Sequence, residues 1–232
     1  MVTDVVQPLI VAIDGPSGSG KSSTARGVAE RLDLAYLDTG AMYRAAAWLV
    51  ADRGLTGADE ITAAIDAADL RISLDPTAFA IAIDGTDVTE AIREPQISAT
   101  VSKVATIQAV RDILIDRQRA LIAGAEQGIV AEGRDITTVV APDARVRVLL
   151  VADPAARIAR RAAELGEKVD QAQVTDQVIR RDADDSTVAA FTEAAPGVTV
   201  VDSTHLTLVE VIDRICALAQ EEPDLRPGAQ DT

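Results

Sequence analysis

Sulfur and aromatic side chains are scarce in this chain. Its 232 residues include a single cysteine, Cys216, and aromatic residues make up 2% of the sequence. One cysteine excludes a disulfide framework or a cysteine-rich zinc cluster within one chain. Hydrophobic residues nevertheless account for 48% of the sequence, so the core must be built from aliphatic side chains. The length suits one α/β domain with a small insertion.

Positive charge is scarce as well. The formal net charge is −15, which argues against a general nucleic-acid-binding role because nothing would neutralise a long phosphate backbone. No apolar run is long enough to cross a bilayer, and residues 1–8 lack the pattern of a signal peptide. We therefore expect a soluble cytoplasmic protein with no membrane partner. His205 is the only histidine and is expected in a surface loop.

A phosphate-binding loop stands near the start of the chain. Residues 15–22 read G-P-S-G-S-G-K-S and match G-x-x-x-x-G-K-[ST]. An apolar run precedes them and a helical pattern follows from Ser22, so backbone N–H groups and a helix N-terminus can surround phosphate oxygens. Lys21 is expected to bridge the β- and γ-phosphates and the Ser22 hydroxyl to reach Mg²⁺. The residues predicted to bind the nucleotide are Gly15, Pro16, Ser17, Gly18, Ser19, Gly20, Lys21, Ser22 and Ser23.

Short apolar runs alternate with helical patterns along the rest of the chain. The runs lie at residues 9–13, 35–37, 128–131, 146–151 and 198–201. Their alternation with helices predicts an α/β fold with a doubly wound, five-stranded parallel sheet and helices on both faces.

The interval between the second and third strands is too long for one crossover. Helical patterns cover 42–53 and 59–68, and strand-like runs at 70–74 and 79–83 precede an Asp84-Gly85 turn signal. We interpret residues 58–97 as an inserted subdomain with some antiparallel sheet, between core segments 1–57 and 98–220. A helix is predicted over 107–123, a helical pattern over 155–181 breaks near Gly166, and the polar tail 221–232 is expected to be disordered.

Several side chains are candidates for the acceptor side of a kinase site. Thr39 and Arg44 follow the second strand, where ligands of such sheets bind, although a helix cap with a solvated arginine explains them equally well. Arg157, Arg160 and Arg161 share one helical face, where like charges repel unless they close on polyphosphate. Since a phosphate acceptor needs no base, a chain with one histidine fits such an acceptor better than a sugar hydroxyl.

Five motifs together resemble those of the bacterial cytidylate kinase family. In chain order they are I-D-G-P-S-G-S-G-K-S at 13–22, L-D-T-G-A-M-Y-R at 37–44, D-V-T-E-A-I-R at 87–93, E-G-R-D-I-T-T-V-V at 132–140 and R-R-D-A-D-D-S-T at 180–187. The resemblance implies a P-loop kinase fold with a nucleoside-monophosphate-binding insertion at about 58–97 and a short lid at 153–187.

The resemblance also implies an activity and its residues. The activity is Mg²⁺-dependent transfer of the γ-phosphoryl group of ATP to CMP or dCMP, with Lys21 and the lid arginines Arg157, Arg160 and Arg161 as catalytic groups. Separately, we expect a monomer. The residues implied to bind CMP are Thr39, Arg44, Ser102, Arg111, Arg134, Asp135, Arg181 and Asp185. Val188 stands where the family has an arginine that contacts the acceptor nucleotide.

Two alternatives remain open on the sequence. One is a kinase of another small acceptor, such as shikimate or gluconate, which would need a base. The other is a non-catalytic nucleotide-binding module, supported by Val188 and the changed segment after it.

Overall fold

The structure is a computed structural model that describes residues 7–165 and 193–221. Its first half contains β1 (Ile10–Asp14), α1 (Lys21–Leu32), β2 (Ala35–Asp38), α2 (Thr39–Asp52), α3 (Ala58–Ala67), β3 (Leu70–Ile72), β4 (Ile81–Ile83), β5 (Thr86–Asp87) and a 3₁₀ turn at Ala91–Arg93. Its second half contains α4 (Pro95–Ala105), α5 (Gln108–Ala123), β6 (Ile129–Gly133), a π-helix at Ile136–Val140, β7 (Val146–Val151), α6 (Pro154–Leu165), β8 (Thr199–Asp202) and α7 (Leu208–Gln220).

The five predicted core strands form one parallel sheet in the order β2-β6-β1-β7-β8. The chain runs from β1 outward to β2 on one side and later to β7 on the other, so the strand order reverses beside β1. Ligands of open α/β sheets bind at such a reversal, beyond the carboxyl ends of the strands. The expected doubly wound α/β sheet is confirmed, and the glycine-rich loop after β1 lies at the reversal.

Alternate residues of the strands face two different hydrophobic layers. Val11 and Ile13 of β1 pack with α1 and α7, whereas Ala12 between them packs with Met42 of α2 and Ile115 of α5. Cys216 is buried in the first layer, as its apolar neighbours predict. The sheet is therefore covered by helices on both faces.

The interval between β2 and β6 contains a second, antiparallel sheet in the order β3-β4-β5. Its buried residues Ile81 and Ile83 join one hydrophobic cluster with Ile61 of α3, Leu49 of α2 and Leu114 of α5. The antiparallel strands predicted here are present, with one more strand than the sequence indicated. The division of the chain at residues 58 and 97 stays a prediction.

Two other elements differ from the sequence prediction. The helix α4 and the π-helix at Ile136–Val140 were not predicted. Helix α6 ends at Leu165 among the described residues, so the predicted break near Gly166, the remainder of the predicted helix and the tail beyond Glu221 lie outside them. Within the described part of the chain, no helix combines the length and apolar character needed to span a membrane.

Candidate active site

The loop between β1 and α1 presents its backbone at the carboxyl end of the sheet. Helix α1 begins at Lys21, directly after Gly20 in a left-handed conformation. Glycine supplies no capping side chain, so backbone N–H groups of the first turn remain available to an anion. Lys21 Nζ donates to the Pro16 carbonyl at 3.0 Å. The buried Ser19 hydroxyl has no hydrogen-bond partner among the described residues, as expected of a group placed to meet a ligand.

Helix α6 packs its first turns on this loop. The Arg157 guanidinium donates to Ser17 O at 3.0 Å, and that of Arg160 donates to Ser203 Oγ at 2.9 Å and to Ser19 O at 3.4 Å. A Cβ atom on Gly18 would lie 2.7 Å from Arg157 O, so the close approach of helix and loop requires glycine. Two of the three predicted lid arginines thus lie at the loop, and Arg161 follows on the same helix.

Glu132 places a buried carboxylate beside the loop. Its Oε1 atom accepts a hydrogen bond from Ser22 Oγ at 2.6 Å and one from the Tyr36 hydroxyl at 3.4 Å. Burial raises the pKa of Glu132, and the nearby Asp38 carboxylate raises it further, while Lys21 and the Ser22 hydroxyl oppose the shift. Carboxylate and hydroxyl oxygens are ligands that Mg²⁺ prefers. Because added positive charge would also relieve the buried acid, this pair fits a magnesium ion.

The start of α2 faces Glu132 from the edge of the sheet. Asp38 caps α2 by accepting from the Ala41 N–H at 2.8 Å, and its other oxygen accepts from Arg44 at 3.0 Å. The Thr39 hydroxyl donates to Glu132 O at 2.8 Å, and a Cβ on Gly133 would lie 2.5 Å from this hydroxyl. Asp38 is therefore a helix cap, as one interpretation of the sequence has it, but Arg44 is held by the same carboxylate and is not a solvated side chain. Anion binding by Thr39 and Arg44 stays a prediction.

A buried ion pair joins α5 to the residue that precedes the π-helix. Arg111 on α5 donates to Asp135 Oδ2 at 2.5 Å, and the side chains are 11% and 10% exposed. The buried Tyr43 hydroxyl on α2 has no hydrogen-bond partner within the described part of the chain. Burial and the Asp135 carboxylate raise the pKa of Tyr43, while Arg111 opposes that shift. A guanidinium, a carboxylate and a phenolic hydroxyl can together form hydrogen bonds with the polar edge of a planar ring.

Comparison with known proteins decides the family. The sequence model of the family described as cytidylate kinase matches residues 11–221. This chain belongs to the cytidylate kinase family. The cytidylate kinase of Cutibacterium acnes is 62% identical over 214 residues, which cover 91% of this chain and 96% of that protein. The cytidylate kinase of Streptomyces avermitilis is 43% identical over 220 residues, covering 94% and 95% of the two chains.

A solved structure shares the fold of this cytidylate kinase family member. It is an uncharacterized protein from Eubacterium ventriosum, with a TM-score of 0.52 and 13% sequence identity over 92% of this chain and 99% of the other. At that identity the likeness concerns the fold alone.

The other residues implied by the cytidylate kinase motifs come from several elements. Ser102 lies on α4 and Arg111 on α5. The Arg134 guanidinium donates to Gly15 O, so it lies against the phosphate-binding loop. Arg181, Asp185 and Val188 lie outside the described residues.

Two residues of the candidate site were not predicted as site residues from the sequence. Glu132 stands in the E-G-R-D motif at the end of a buried strand, but its contact with Ser22 depends on β6 lying next to β1. Tyr43 stands in the D-T-G-A-M-Y-R motif, but its nearness to Asp135 depends on the packing of α2. The motifs signalled both positions, and only the strand order and helix packing reveal their partners.

Proposed function

We propose that this protein transfers the γ-phosphoryl group of ATP to CMP or dCMP, giving CDP or dCDP, with Mg²⁺ as cofactor. Membership of the cytidylate kinase family supports the reaction. The observation that carries the acceptor assignment is the buried Arg111–Asp135 ion pair. Burying two ionised groups costs free energy, and a polar ligand that completes their hydrogen bonds offsets this cost.

On the donor side, residues 15–23 hold the triphosphate of ATP. Backbone N–H groups of the loop and of the first turn of α1 bind phosphate oxygens, and Lys21 turns from Pro16 O to the β- and γ-phosphates. Arg157, Arg160 and Arg161 neutralise charge on the group in transfer. Ser22 and Glu132 would hold Mg²⁺, which would neutralise negative charge on the phosphates.

On the acceptor side, Thr39 and Arg44 bind the α-phosphate of CMP, and Arg134 lies between the two nucleotides. Ser102, Arg111 and Asp135 read the base, and Arg181 and Asp185 bind the acceptor sugar and phosphate. The Asp135 carboxylate accepts from the exocyclic amino group of cytosine, whereas uracil offers a carbonyl there. No general base is needed because the attacking phosphate oxygen is already anionic.

A coupled assay of ADP release tests this proposal. We expect turnover with CMP and dCMP, much less with UMP and AMP, and none with shikimate or without Mg²⁺. In the variant Lys21→Ala, kcat should fall about 10²-fold, which corresponds to about 2.7 kcal/mol of lost transition-state stabilisation. The exposed Lys103 supplies the control Lys103→Ala, which should keep wild-type turnover. Turnover with shikimate, or with no acceptor at all, would overturn the proposal.

The enzyme acts in this proposal as a cytoplasmic monomer on free nucleotides. The net charge of −15 supports the absence of a nucleic-acid partner, since phosphate backbones repel such a surface. Light scattering of the purified protein should give the mass of one chain, and a stable dimer would contradict the monomer.

A further inference from the structure

Asp14, the last residue of β1, carries a buried carboxylate that the proposed reaction does not use. The residue is 2% exposed. Its Oδ1 atom accepts from the Ile136 N–H at 2.9 Å, and its Oδ2 atom accepts from the Thr137 N–H at 2.8 Å and from Thr137 Oγ1 at 2.7 Å. All three donors belong to the first two residues of the π-helix. Burying a charge is costly unless it is fully hydrogen-bonded. The Asp14 carboxylate therefore requires the start of the π-helix as its partner.

The segment that Asp14 holds begins directly after Asp135. The Asp135 carbonyl accepts from the N–H groups of Val139 and Val140, which closes the wide turn of the π-helix. Single π-turns of this kind often occur at functional sites. Since Asp135 is the residue immediately before Ile136, the carboxylate of Asp14 fixes the backbone from which the Asp135 side chain extends toward Arg111.

A second contact fastens the same two turns together. The Arg134 guanidinium donates to Gly15 O, so residues 134–137 are tied to residues 14–15 from both sides of Asp135. Asp14 is covalently joined to the first glycine of the phosphate-binding loop. The base-reading side chain and the phosphate-binding loop therefore share one rigid connection.

We propose that Asp14 and Thr137 are positioning residues that set the Arg111–Asp135 pair against the phosphate-binding loop and thereby determine base selection, without touching either nucleotide. This inference rests on the proposed function, because base selection has meaning only if CMP is the acceptor. The charge matters, since hydrogen bonds to an ionised acceptor are stronger than neutral ones. An asparagine would turn a donor N–H₂ group toward one of the three donors.

The test compares the ratio of kcat/KM for CMP to that for UMP among variants. Thr137→Val keeps the side-chain shape and removes one of the three hydrogen bonds, and the ratio should fall about fivefold. Thr137→Ser keeps the hydroxyl and should restore the wild-type ratio. Asp14→Asn should lower the ratio about tenfold or more. The KM for ATP should change less than twofold in Thr137→Val, because the loop itself keeps its sequence.

The ratio of kcat/KM for CMP to that for UMP distinguishes a positioning role of Thr137 from a purely structural role. If Thr137→Val lowers Tm and slows CMP and UMP turnover alike, with an unchanged ratio, the inference is overturned. Equal losses of the ratio in Thr137→Val and Thr137→Ser would also overturn it. If Asp14→Asn fails to fold, the comparison of Thr137→Val with Thr137→Ser still tests the inference. If wild-type protein does not phosphorylate CMP, the proposed function itself fails, which the wild-type assay reveals before any variant is measured.

Discussion

An unpaired hydroxyl buried in a protein costs free energy, about 1–3 kcal/mol, and the Tyr43 hydroxyl is such a group among the described residues. Its neighbours Arg111 and Asp135 are already bonded to each other. A cost of this kind is tolerated at a site where a ligand supplies the missing partner. The Tyr43 hydroxyl therefore belongs with the residues that we expect to contact the acceptor nucleotide.

Tyr43→Phe should separate binding from stability. The free protein loses no hydrogen bond in this variant, so its Tm should stay the same or rise. If CMP forms a hydrogen bond with the Tyr43 hydroxyl, the dissociation constant of CMP should increase about fivefold in the variant, because the lost bond contributes about 1 kcal/mol. Isothermal titration with CMP and thermal unfolding give the two numbers. Unchanged CMP binding would show that the hydroxyl is merely buried.

Asp135→Asn should narrow the preference for CMP over UMP. The amide retains one oxygen but also presents donor hydrogens, so it no longer favours the cytosine amino group over the uracil carbonyl as the carboxylate does. We expect the ratio of the two kcat/KM values to fall about tenfold or more. Asp116→Asn, at an exposed position on α5, is the matched control. Full wild-type discrimination in Asp135→Asn would remove Asp135 from the base-reading role.

At the scale of elements, the phosphate-binding loop and α6 depend on each other. The loop could not approach the helix so closely with any residue but glycine at position 18, where φ is +73°. Gly85, in the turn between β4 and β5, has nearly the same backbone conformation, with φ of +77°, but a Cβ there would meet no neighbouring atom within 4 Å. The two glycines differ in what surrounds them.

Gly18→Ala and Gly85→Ala should therefore differ in function. Both variants place a Cβ in the left-handed region, so both should lose about 1 kcal/mol of stability. Gly18→Ala alone must also push α6 from the loop, which should raise the KM for ATP and lower kcat, each severalfold. Steady-state kinetics with varied ATP measure the difference. Equal kinetics in the two variants would show that the contact of loop and helix has no role in catalysis.

The elements that the sequence predicted are those with strong local patterns. The parallel strands lie in short, mostly apolar runs, and the run at residues 146–151, which only Arg147 interrupts, matches β7 at both ends. The π-helix at Ile136–Val140 has no such local signal, since the β-branched residues in I-T-T-V-V favour a strand. Its turn is fixed by the long-range hydrogen bonds to Asp14. Helix α4 was missed although Ile97 and Val104 repeat at helical spacing.

The candidate site divides in the same way. The phosphate-binding loop could be predicted because its chemistry lies within eight consecutive residues. The Ser22–Glu132 contact joins residues 110 positions apart, and the strand order brings them together. Helix packing likewise places Tyr43 near Arg111. Motifs thus identify the participants of a site, while the partners of each side chain follow from topology.

For the whole molecule, buried acids give stability an unusual dependence on pH. Burial raises the pKa of Glu132 above its ordinary value of 4.5, and burial also raises that of Asp14. An acid with a raised pKa in the folded state binds more protons when folded than when unfolded. The contribution of these two acids to stability is therefore greatest at low pH and decreases as the pH rises from the ordinary pKa of each acid toward its raised pKa in the folded state. The large negative net charge acts in the same direction.

Glu132→Gln should make this pH dependence weaker. The glutamine can still accept from Ser22 but does not ionise, so Tm without nucleotide should fall less between pH 5 and pH 8 than in the wild-type protein. Glu126→Gln, at an exposed position, removes the same charge from the surface and serves as the control. Parallel pH curves for wild type and Glu132→Gln would contradict the assignment of Glu132 as a buried acid that ionises at a cost.

The hydrophobic cluster shared by α2, α3, β4 and α5 limits how this enzyme can be recombined with its relatives. Ile61, Ile81 and Ile83 complete a surface formed by Leu49 and Leu114, which lie in the flanking segments. A chimera that exchanged residues 58–97 alone would join two apolar surfaces that were never selected to fit each other. We therefore expect a successful exchange of the predicted insertion to include α2 and α5, because their side chains complete its apolar surface.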